Sequence, residues 1–155
     1  MKKALILIDV QEDFLGNTQD YIAPLCQNYL AQFGSSYDLV ILTHWKHEEN
    51  KDQNTLLLEY ADAKVVEKRT YSALTPEVNQ LLLQHDICEV HLAGVDAEMA
   101  VMATMYHLID QNYDVKILER LCASYHGRNW EATTIMRHVL GDANVLSVGG
   151  GRVWV

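Results

Sequence analysis

The stretch Ala4–Ile8, which reads ALILI, is a continuous apolar run of the length of one β-strand and is followed by Asp9. Such runs are typical of strands that are covered on both faces, as in a parallel sheet. Similar runs recur at Leu39–Leu42, Lys64–Val66, Val90–Ala93 and Val115–Leu118, and a weaker one spans Asn144–Val148. The pattern therefore predicts a parallel sheet of about six strands.

Helical patterns separate most of these strands. We expect helices over residues 20–33, 97–110 and 129–140, and another that begins at Thr75–Glu77, where a hydroxyl, a proline and an acid form a typical helix start. Strands that alternate with helices form right-handed β–α–β units with helices on both faces. The sequence thus predicts a three-layer, Rossmann-like, doubly wound α/β fold, built as one domain over residues 1–155. Ligands in such folds bind beyond the carboxyl ends of the strands.

Composition and charge exclude several function classes. The chain has 155 residues and a net charge of −9, and a surface of that sign repels nucleic acid. No apolar stretch approaches the roughly 20 residues of a membrane helix, and the run before Asp9 is too short for an export signal. The three cysteines form no C-x-x-C pair, which suits a reducing compartment. We therefore expect a cytoplasmic protein without a nucleic-acid or membrane partner.

Three predicted strand ends carry groups that can act together. Asp9 follows the first strand, Lys68 follows the third, and Gly94 leads into the helix after the fourth. An acid and an amine in one cleft are candidate catalysts, but a structural ion pair has the same pattern, so both interpretations stay open. Backbone N–H groups at the start of the helix after Gly94 can bind a developing oxyanion. The alternative is a plain connection in which Asp96 caps the helix.

A further pattern is carried by four segments: LIDVQEDF (7–14), KRTYSAL (68–74), GVDAEMAVMAT (94–104) and LCAS (121–124). In the same order, they resemble motifs of the isochorismatase-like family of cysteine hydrolases, which includes nicotinamidases and other amidases. The first resembles the family's opening motif, and the second is similar to its K-x-x-Y-S-A-F segment. The third follows its G-V-x-T-D-x-C-V-x-x-T segment, and the fourth resembles D-A-C-A-S. The resemblance implies a small-molecule hydrolase with Asp9 as the catalytic aspartate and Lys68 as the catalytic lysine.

The third segment departs from the family at its central residue. The family's nucleophilic cysteine stands six residues after the glycine, and that position is Ala100 here. In the family the aspartate deprotonates the cysteine, the lysine assists, and backbone amides beside a cis peptide bond stabilise the oxyanion. The resemblance implies that the amides of Ala97 and Ala100 form this oxyanion hole and that the cis bond joins Val95 and Asp96. Because the covalent route needs a nucleophile, the usual amidase chemistry is expected to fail.

Three explanations of Ala100 remain open. The first is an engineered replacement of a natural cysteine, in which case the natural protein cleaves an amide C–N bond. The second is thiol-independent chemistry, since some isochorismatase-type enzymes cleave a vinyl (enol) ether with the aspartate as general acid. The third is a catalytically inactive family member that binds a small molecule or acts as an oligomeric scaffold. Ala97 and Glu98 also differ from the family's threonine and aspartate, which favours natural drift.

Aromatic and histidine side chains are the next candidates. We expect Trp45 and Tyr71 in the pocket, with Trp45 stacking on a flat ligand. His44 and His47 follow the second strand, where the nicotinamidase branch carries a metal site. No aspartate lies between them, and two ligands hold zinc poorly, so we expect no metal and no cofactor. Specificity is expected to reside in the loops 14–24, 43–60 and 122–130.

The remaining expectations concern one cysteine, one acid and the tail. Cys122 is a less favoured substitute nucleophile, because unactivated cysteines are usually buried packing residues. Asp13 is expected to orient the loop after the first strand and to contact Lys68 or Arg69. The apolar tail Val153–Val155 indicates a segment that docks on the core or on a second subunit, so we expect a homo-oligomer.

Overall fold

One parallel sheet dominates the computed structural model, which describes residues 1–16, 19–149 and 152–153. Its six strands are β1 (Lys3–Ile8), β2 (Leu39–Trp45), β3 (Lys64–Lys68), β4 (Glu89–Val95), β5 (Asp114–Ala123) and β6 (Val145–Leu146). They lie side by side in the order β3-β2-β1-β4-β5-β6, and each neighbouring pair is parallel. The predicted parallel sheet is therefore confirmed.

The helices occupy the segments where the sequence predicts them. They are α1 (Ile22–Phe33), α2 (Pro76–Gln84), α3 (Met102–Asp110, directly preceded by a π-helical turn, Ala97–Val101) and α4 (Asn129–Leu140). The predicted start of α2 is confirmed, because the Thr75 hydroxyl oxygen accepts a hydrogen bond from the Val78 backbone N–H at 3.3 Å. Among the described residues, no helix combines the length and the apolar character that crossing a membrane requires.

The direction in which successive strands are added to the sheet reverses between β1 and β4, and this reversal decides which face each helix covers. The connection from β1 through α1 to β2 runs towards one edge of the sheet, and the connection from β4 through α3 to β5 runs towards the other. Because such crossovers are right-handed, α1 and α3 cover opposite faces. The structure thus has the doubly wound α/β architecture that the sequence predicts, with its switch in strand order between β1 and β4.

The chain end differs from the prediction. The sixth strand ends at Leu146 and does not continue to Val148, because the chain then forms a hairpin of Val148–Gly149 (β7) with Arg152–Val153 (β8). The predicted docking of the tail lies outside the described part, since Trp154 and Val155 and the Val153 side chain are not described. The homo-oligomer stays a prediction.

Burial of β1 explains why its sequence is apolar throughout. Every residue of Ala4–Ile8 is 0% exposed, as expected for a central strand with layers on both faces. Ile8 pairs with Gly94 on β4, whose φ of +126° lies in the region that favours glycine. A Cβ atom at Gly94 would lie 2.2 Å from the Ile8 carbonyl oxygen. Glycine therefore lets β4 approach the end of β1 and brings the turn after β4 close to Asp9.

Candidate active site

Asp9 and Lys68 form a buried ion pair at the carboxyl edge of the sheet. Asp9 directly follows β1 and Lys68 ends β3, and the Lys68 Nζ lies 2.8 Å from the Asp9 Oδ2. Both side chains are within 1% of full burial. From β2, which lies between these strands, the Thr43 hydroxyl donates to the Asp9 Oδ1 at 2.8 Å. The two residues that the sequence singled out are therefore brought together, with Thr43 as a partner that it did not identify.

The environment of this pair favours proton exchange near neutral pH. Burial raises the pKa of Asp9 to about 6, and the Lys68 ammonium and the Thr43 hydroxyl oppose part of that rise. Burial lowers the pKa of Lys68, against the effect of Asp9. The Lys68 ammonium also donates to the backbone carbonyls of Thr70 at 2.6 Å and Tyr71 at 3.3 Å, which hold it in place. A carboxyl group with such a pKa can serve as a general acid or base.

A cavity of about 500 Å³ opens beside the ion pair. Six residues that the sequence placed in the site line it: Asp9, Trp45, Tyr71, Val95, Asp96 and Ala100. Two others do not appear in its wall. The Lys68 side chain is fully buried against Asp9, and Ala97 is fully buried at the start of the π-helical turn. The cavity wall also contains His47, considered above as a metal ligand, and four residues that the sequence did not single out: Phe14, Glu48, Glu49 and Met99.

The turn after β4 has the shape that the resemblance implies. The peptide bond between Val95 and Asp96 is cis. The Asp96 carbonyl accepts hydrogen bonds from the backbone N–H groups of Met99 at 3.1 Å and Val101 at 3.2 Å. The Asp96 side chain does not cap the helix, and its Oδ1 instead accepts from the Tyr125 backbone N–H at 2.9 Å. Burial raises the pKa of Asp96.

Ala100 lies in this turn and is 4% exposed. Its carbonyl accepts a hydrogen bond from the Thr104 hydroxyl at 2.7 Å, and the same hydroxyl accepts from the Ala73 backbone N–H at 2.8 Å. Thr104 thereby fixes the turn that carries Ala100 against the segment that follows Lys68. The methyl group of Ala100 thus faces the same cavity as Asp9 but has no lone pair for attack.

Asp13 orients the loop after β1, but it does not contact Lys68 or Arg69 as expected. Its carboxylate instead accepts from the Thr55 hydroxyl at 2.6 Å and from the Gln11 amide at 3.0 Å, and the His47 Nε2 lies 2.5 Å away. These hydrogen bonds outweigh burial and lower the pKa of Asp13. The reason is geometric: the segment after β2 folds over this loop, and its Thr55 and His47 side chains contact the Asp13 carboxylate.

His44, near the end of β2, and His47, just after it, do not form a metal site with other described residues. His44 Nε2 lies 2.9 Å from the Thr55 hydroxyl, and His47 Nε2 is engaged by Asp13. Within the described ranges, no group of three or more histidine, cysteine, aspartate or glutamate side chains is arranged to hold a metal ion. These residues therefore do not fit the metal that the nicotinamidase branch carries, and no chemical step is assigned to one.

Cys122 does not fit the role of substitute nucleophile. It is 2% exposed, and burial raises the pKa of its thiol to about 12, so the thiol stays protonated at neutral pH. Its Sγ lies 3.4 Å from the Leu118 carbonyl oxygen, and the residue is not part of the cavity wall beside Asp9.

Three of the four wall residues that the sequence did not single out come from two of the three loops in which specificity was expected, and Met99 comes from the π-helical turn. Phe14, Glu48 and Glu49 lie in the predicted loops 14–24 and 43–60. No residue of the loop 122–130 lines the cavity, although Tyr125 holds Asp96. Phe14 is the last residue of the opening motif, and this position was the available signal for it. Nothing in the sequence distinguishes Glu48 and Glu49 from other exposed acids.

Similarity to known proteins extends over most of the chain. The model of the isochorismatase domain matches residues 3–147. A curated relative, the isochorismatase domain-containing protein 2 of Xenopus laevis, is 27% identical over 123 residues, which cover 77% of this chain. The matched segment spans 60% of that relative's length.

Solved structures share the fold at low sequence identity. The nicotinamidase of Bacillus subtilis has a TM-score of 0.71 at 21% identity, with 91% of this chain and 97% of that chain covered. The pyrazinamidase of Pyrococcus horikoshii, solved in complex with zinc, has a TM-score of 0.78 at 21% identity with the same coverage. The N-carbamoylsarcosine amidase of Thermoplasma acidophilum has a TM-score of 0.76 at 20% identity, over 91% of this chain and 94% of that chain. The fold, the ordered motifs and the domain match together show that this chain belongs to the isochorismatase-like hydrolase family.

Proposed function

We propose that the chain hydrolyses a small molecule without a thiol nucleophile and that Asp9 is its general acid. The observation that carries the proposal is the buried Asp9–Lys68 pair, whose Asp9 lines the same cavity as Ala100. An acid with a pKa of about 6 supplies a proton at near-neutral pH, whereas the alanine supplies no electron pair. This combination suits a reaction that begins with protonation and does not suit one that begins with thiolate attack.

Cleavage of an enol ether meets these requirements. Asp9 transfers its proton to the enol carbon, whose π electrons form the new C–H bond, and an oxocarbenium ion results. Water then attacks the oxocarbenium carbon and returns a proton to the Asp9 carboxylate. The hemiketal that forms collapses to a carbonyl compound and an alcohol, so the acid is regenerated. In this scheme Lys68 is a positioning residue, because its ammonium holds the Asp9 carboxylate at 2.8 Å and keeps its pKa from rising further.

Amide hydrolysis is the second bond class that the resemblance implies. Its usual route passes through a covalent adduct on the residue at position 100, which alanine cannot form. The fold likeness to nicotinamidases and to N-carbamoylsarcosine amidase concerns chains about one-fifth identical, and it carries no substrate to this chain. Ala100 therefore favours the enol ether for the protein as it stands.

The alternative proposal is a catalytically inactive family member that binds a small molecule or assembles as a scaffold. Ala100 supports it equally, because the cavity persists beside the alanine. The two proposals differ in turnover, because the inactive family member converts no substrate whether it binds a small molecule or assembles as a scaffold.

The test is a turnover assay of the unaltered chain on a panel of small enol ethers, followed by proton NMR of the carbonyl product. We expect turnover that falls as the pH rises above about 6, because the acid form of Asp9 is then lost. Asp9→Asn should reduce the rate by about 100-fold or more. Asp62→Asn, which removes an exposed carboxylate outside the cavity, is the matched control. Turnover that survives Asp9→Asn would rule out the mechanism, and binding without any turnover would favour the inactive alternative.

A further inference from the structure

We propose that the cavity is an aromatic cage for an organic cation and that the substrate carries a positively charged nitrogen. The inference rests on the site of the proposed function and names the substrate class for it. Three observations support it: the arrangement of the aromatic rings, the charges around the cavity, and the way the chain itself uses one of the rings.

The aromatic rings that line the cavity are steeply inclined to each other. The ring centroids of Phe14 and Trp45 are 6.3 Å apart with an interplanar angle of 76°, and those of Trp45 and Tyr71 are 5.3 Å apart with an angle of 62°. All three residues line the cavity. Rings in mutually edge-on positions can present several electron-rich faces to one guest, which is how proteins recognise quaternary and alkylated ammonium groups.

The chain already places a cation against one of these rings. The Lys68 Nζ lies 4.2 Å from the centroid of the Trp45 ring, within the distance of a cation–π contact. The ammonium is fully buried and is paired with Asp9, so its charge is compensated within the protein. The indole of Trp45 is thus held in place by an internal cation while it also forms part of the cavity wall.

The charges around the cavity have one sign. Glu48, Glu49 and Asp96 line it in addition to Asp9, and no lysine or arginine does so among the described residues. Lys51 lies 3.4 Å from Glu48, but both side chains are more than half exposed and such surface pairs are weak. A ligand that carries a carboxylate or phosphate would meet these four acidic side chains without a lysine or arginine in the described part of the wall. A cationic ligand would find complementary charge, as would the oxocarbenium ion of the proposed reaction.

The test compares three probes that share a pyridine ring and differ in charge: nicotinate (anionic), nicotinamide (neutral) and 1-methylnicotinamide (cationic). Isothermal titration calorimetry with the full chain at pH 7.5 gives the dissociation constants. We expect 1-methylnicotinamide to bind most tightly and nicotinate most weakly, with about a tenfold difference between them or more. The cation's advantage should shrink as salt is added, because the carboxylates at the rim are screened.

Variants separate the aromatic and the charge contributions. The double variant Glu48→Gln, Glu49→Gln should weaken 1-methylnicotinamide several-fold and leave nicotinamide nearly unchanged. The double variant Glu59→Gln, Asp62→Asn removes the same number of charges outside this cavity and should change neither constant. Trp45→Leu should weaken the cation further, and a thermal melt checks that this variant remains folded.

The outcomes distinguish this inference from the function on which it rests. Nicotinate that binds as tightly as 1-methylnicotinamide, or no binding of any probe at millimolar concentration, would overturn the cage. The expected binding order without turnover of any enol ether would leave the cage standing and count against the proposed hydrolase. Turnover that depends on Asp9, together with equal binding of the three probes, would support the proposed hydrolase and overturn the cage.

Discussion

A buried network of ionisable side chains lies at each end of the parallel strands, which we term the carboxyl edge and the amino edge of the sheet. The two networks differ in their access to a cavity. At the carboxyl edge lies the Asp9–Lys68 pair, which we term the carboxyl-edge pair. At the amino edge, the hydroxyl oxygens of Tyr29 and Tyr37 are 2.6 Å apart, and Tyr37 lies 2.7 Å from the His91 Nδ1. The His91 Nε2 lies 2.5 Å from Glu89, which completes what we term the amino-edge network.

Both networks contain groups with shifted pKa values. At the amino edge, burial raises the pKa of Tyr37 and lowers that of His91, even though the bond to Glu89 favours the protonated imidazole. None of the four side chains of the amino-edge network lines the cavity beside Asp9. The carboxyl-edge pair has the same kind of burial and also borders that cavity. Shifted pKa values therefore indicate burial in both networks. The adjoining cavity is what makes the carboxyl-edge pair the candidate for catalysis.

The largest expected effect concerns the backbone at the carboxyl edge. Gly94→Ala should destabilise the protein by more than about 4 kcal/mol, because the added Cβ meets the Ile8 carbonyl at 2.2 Å and the residue has a φ of +126°. Gly127→Ala is the matched control: it also has a positive φ of 72°, but nothing lies within 4 Å of its added Cβ. Thermal melts of both variants provide the measurement. Equal melting temperatures would show that the close approach of β4 to β1 does not limit stability.

The next effect concerns the charge balance of the carboxyl-edge pair. Lys68→Met leaves Asp9 buried without its cation, which should lower the free energy of unfolding at pH 7 by about 3–5 kcal/mol. The pKa of Asp9 should rise above its value of about 6, so turnover should persist to higher pH than in the unaltered chain. Because the folded pKa then exceeds the ordinary value of 3.8 by more, the contribution of Asp9 to stability should be fully present below pH 3.8 and be lost as the pH rises through the new pKa.

Lys64→Met is the control for this prediction, because Lys64 is an exposed lysine at the other end of β3. Denaturant titrations at several pH values and a pH–rate profile give both quantities. A profile that keeps its original midpoint in the Lys68 variant would contradict the assigned coupling between Lys68 and Asp9.

A smaller effect is expected at the amino edge. Tyr37→Phe removes the hydroxyl that joins Tyr29 to His91 and should lower the free energy of unfolding by about 1–3 kcal/mol. The rate of turnover per folded molecule should not change, since Tyr37 does not line the cavity. Urea denaturation and the turnover assay measure the two effects separately. A loss of turnover in the folded variant would break the distinction between the two edges.

The smallest effect on stability is expected for Ala100→Cys, within about 1 kcal/mol, because alanine and cysteine are both small and readily buried. The new thiol lies in the cavity wall with Asp9 as its neighbouring base and should react with iodoacetamide faster than the native, exposed Cys88. Mass spectrometry of labelled peptides reports both sites in one sample. If the folded variant shows no reactivity at position 100, then a cysteine there does not restore the family's nucleophile.

Sequence patterns predicted the sheet and the carboxyl-edge pair because both depend on regular structure. A buried strand such as β1 is apolar throughout, which makes it recognisable in the sequence. Because parallel strands bring their last residues to one edge of the sheet, the strand pattern predicted that Asp9 and Lys68 lie close together. The resemblance added Ala100 and the position of the cis peptide bond, which no periodicity reveals.

The rest of the cavity depends on loop conformation. The segment between β2 and β3 is held by contacts distant in sequence: the Glu12 N–H donates to the Thr55 carbonyl at 2.8 Å, and the Leu57 N–H donates to the Val10 carbonyl at 3.0 Å. These bonds place Thr55 beside Asp13, and the same segment contributes Glu48 and Glu49 to the cavity wall. Local propensity carries no information on such pairings. The sequence could therefore predict which loops border the cavity but not which of their side chains line it.

Lys68 reaches the site from β3, a strand of five residues that lies at the border of the sheet and pairs with β2 alone within it. Short outer strands detach in local openings that require less free energy than unfolding of the whole chain. Each opening of β3 would withdraw the ammonium from Asp9 while the interior stays packed. Heat inactivation should therefore precede melting, and amide hydrogens of β3 should exchange with solvent before those of β1.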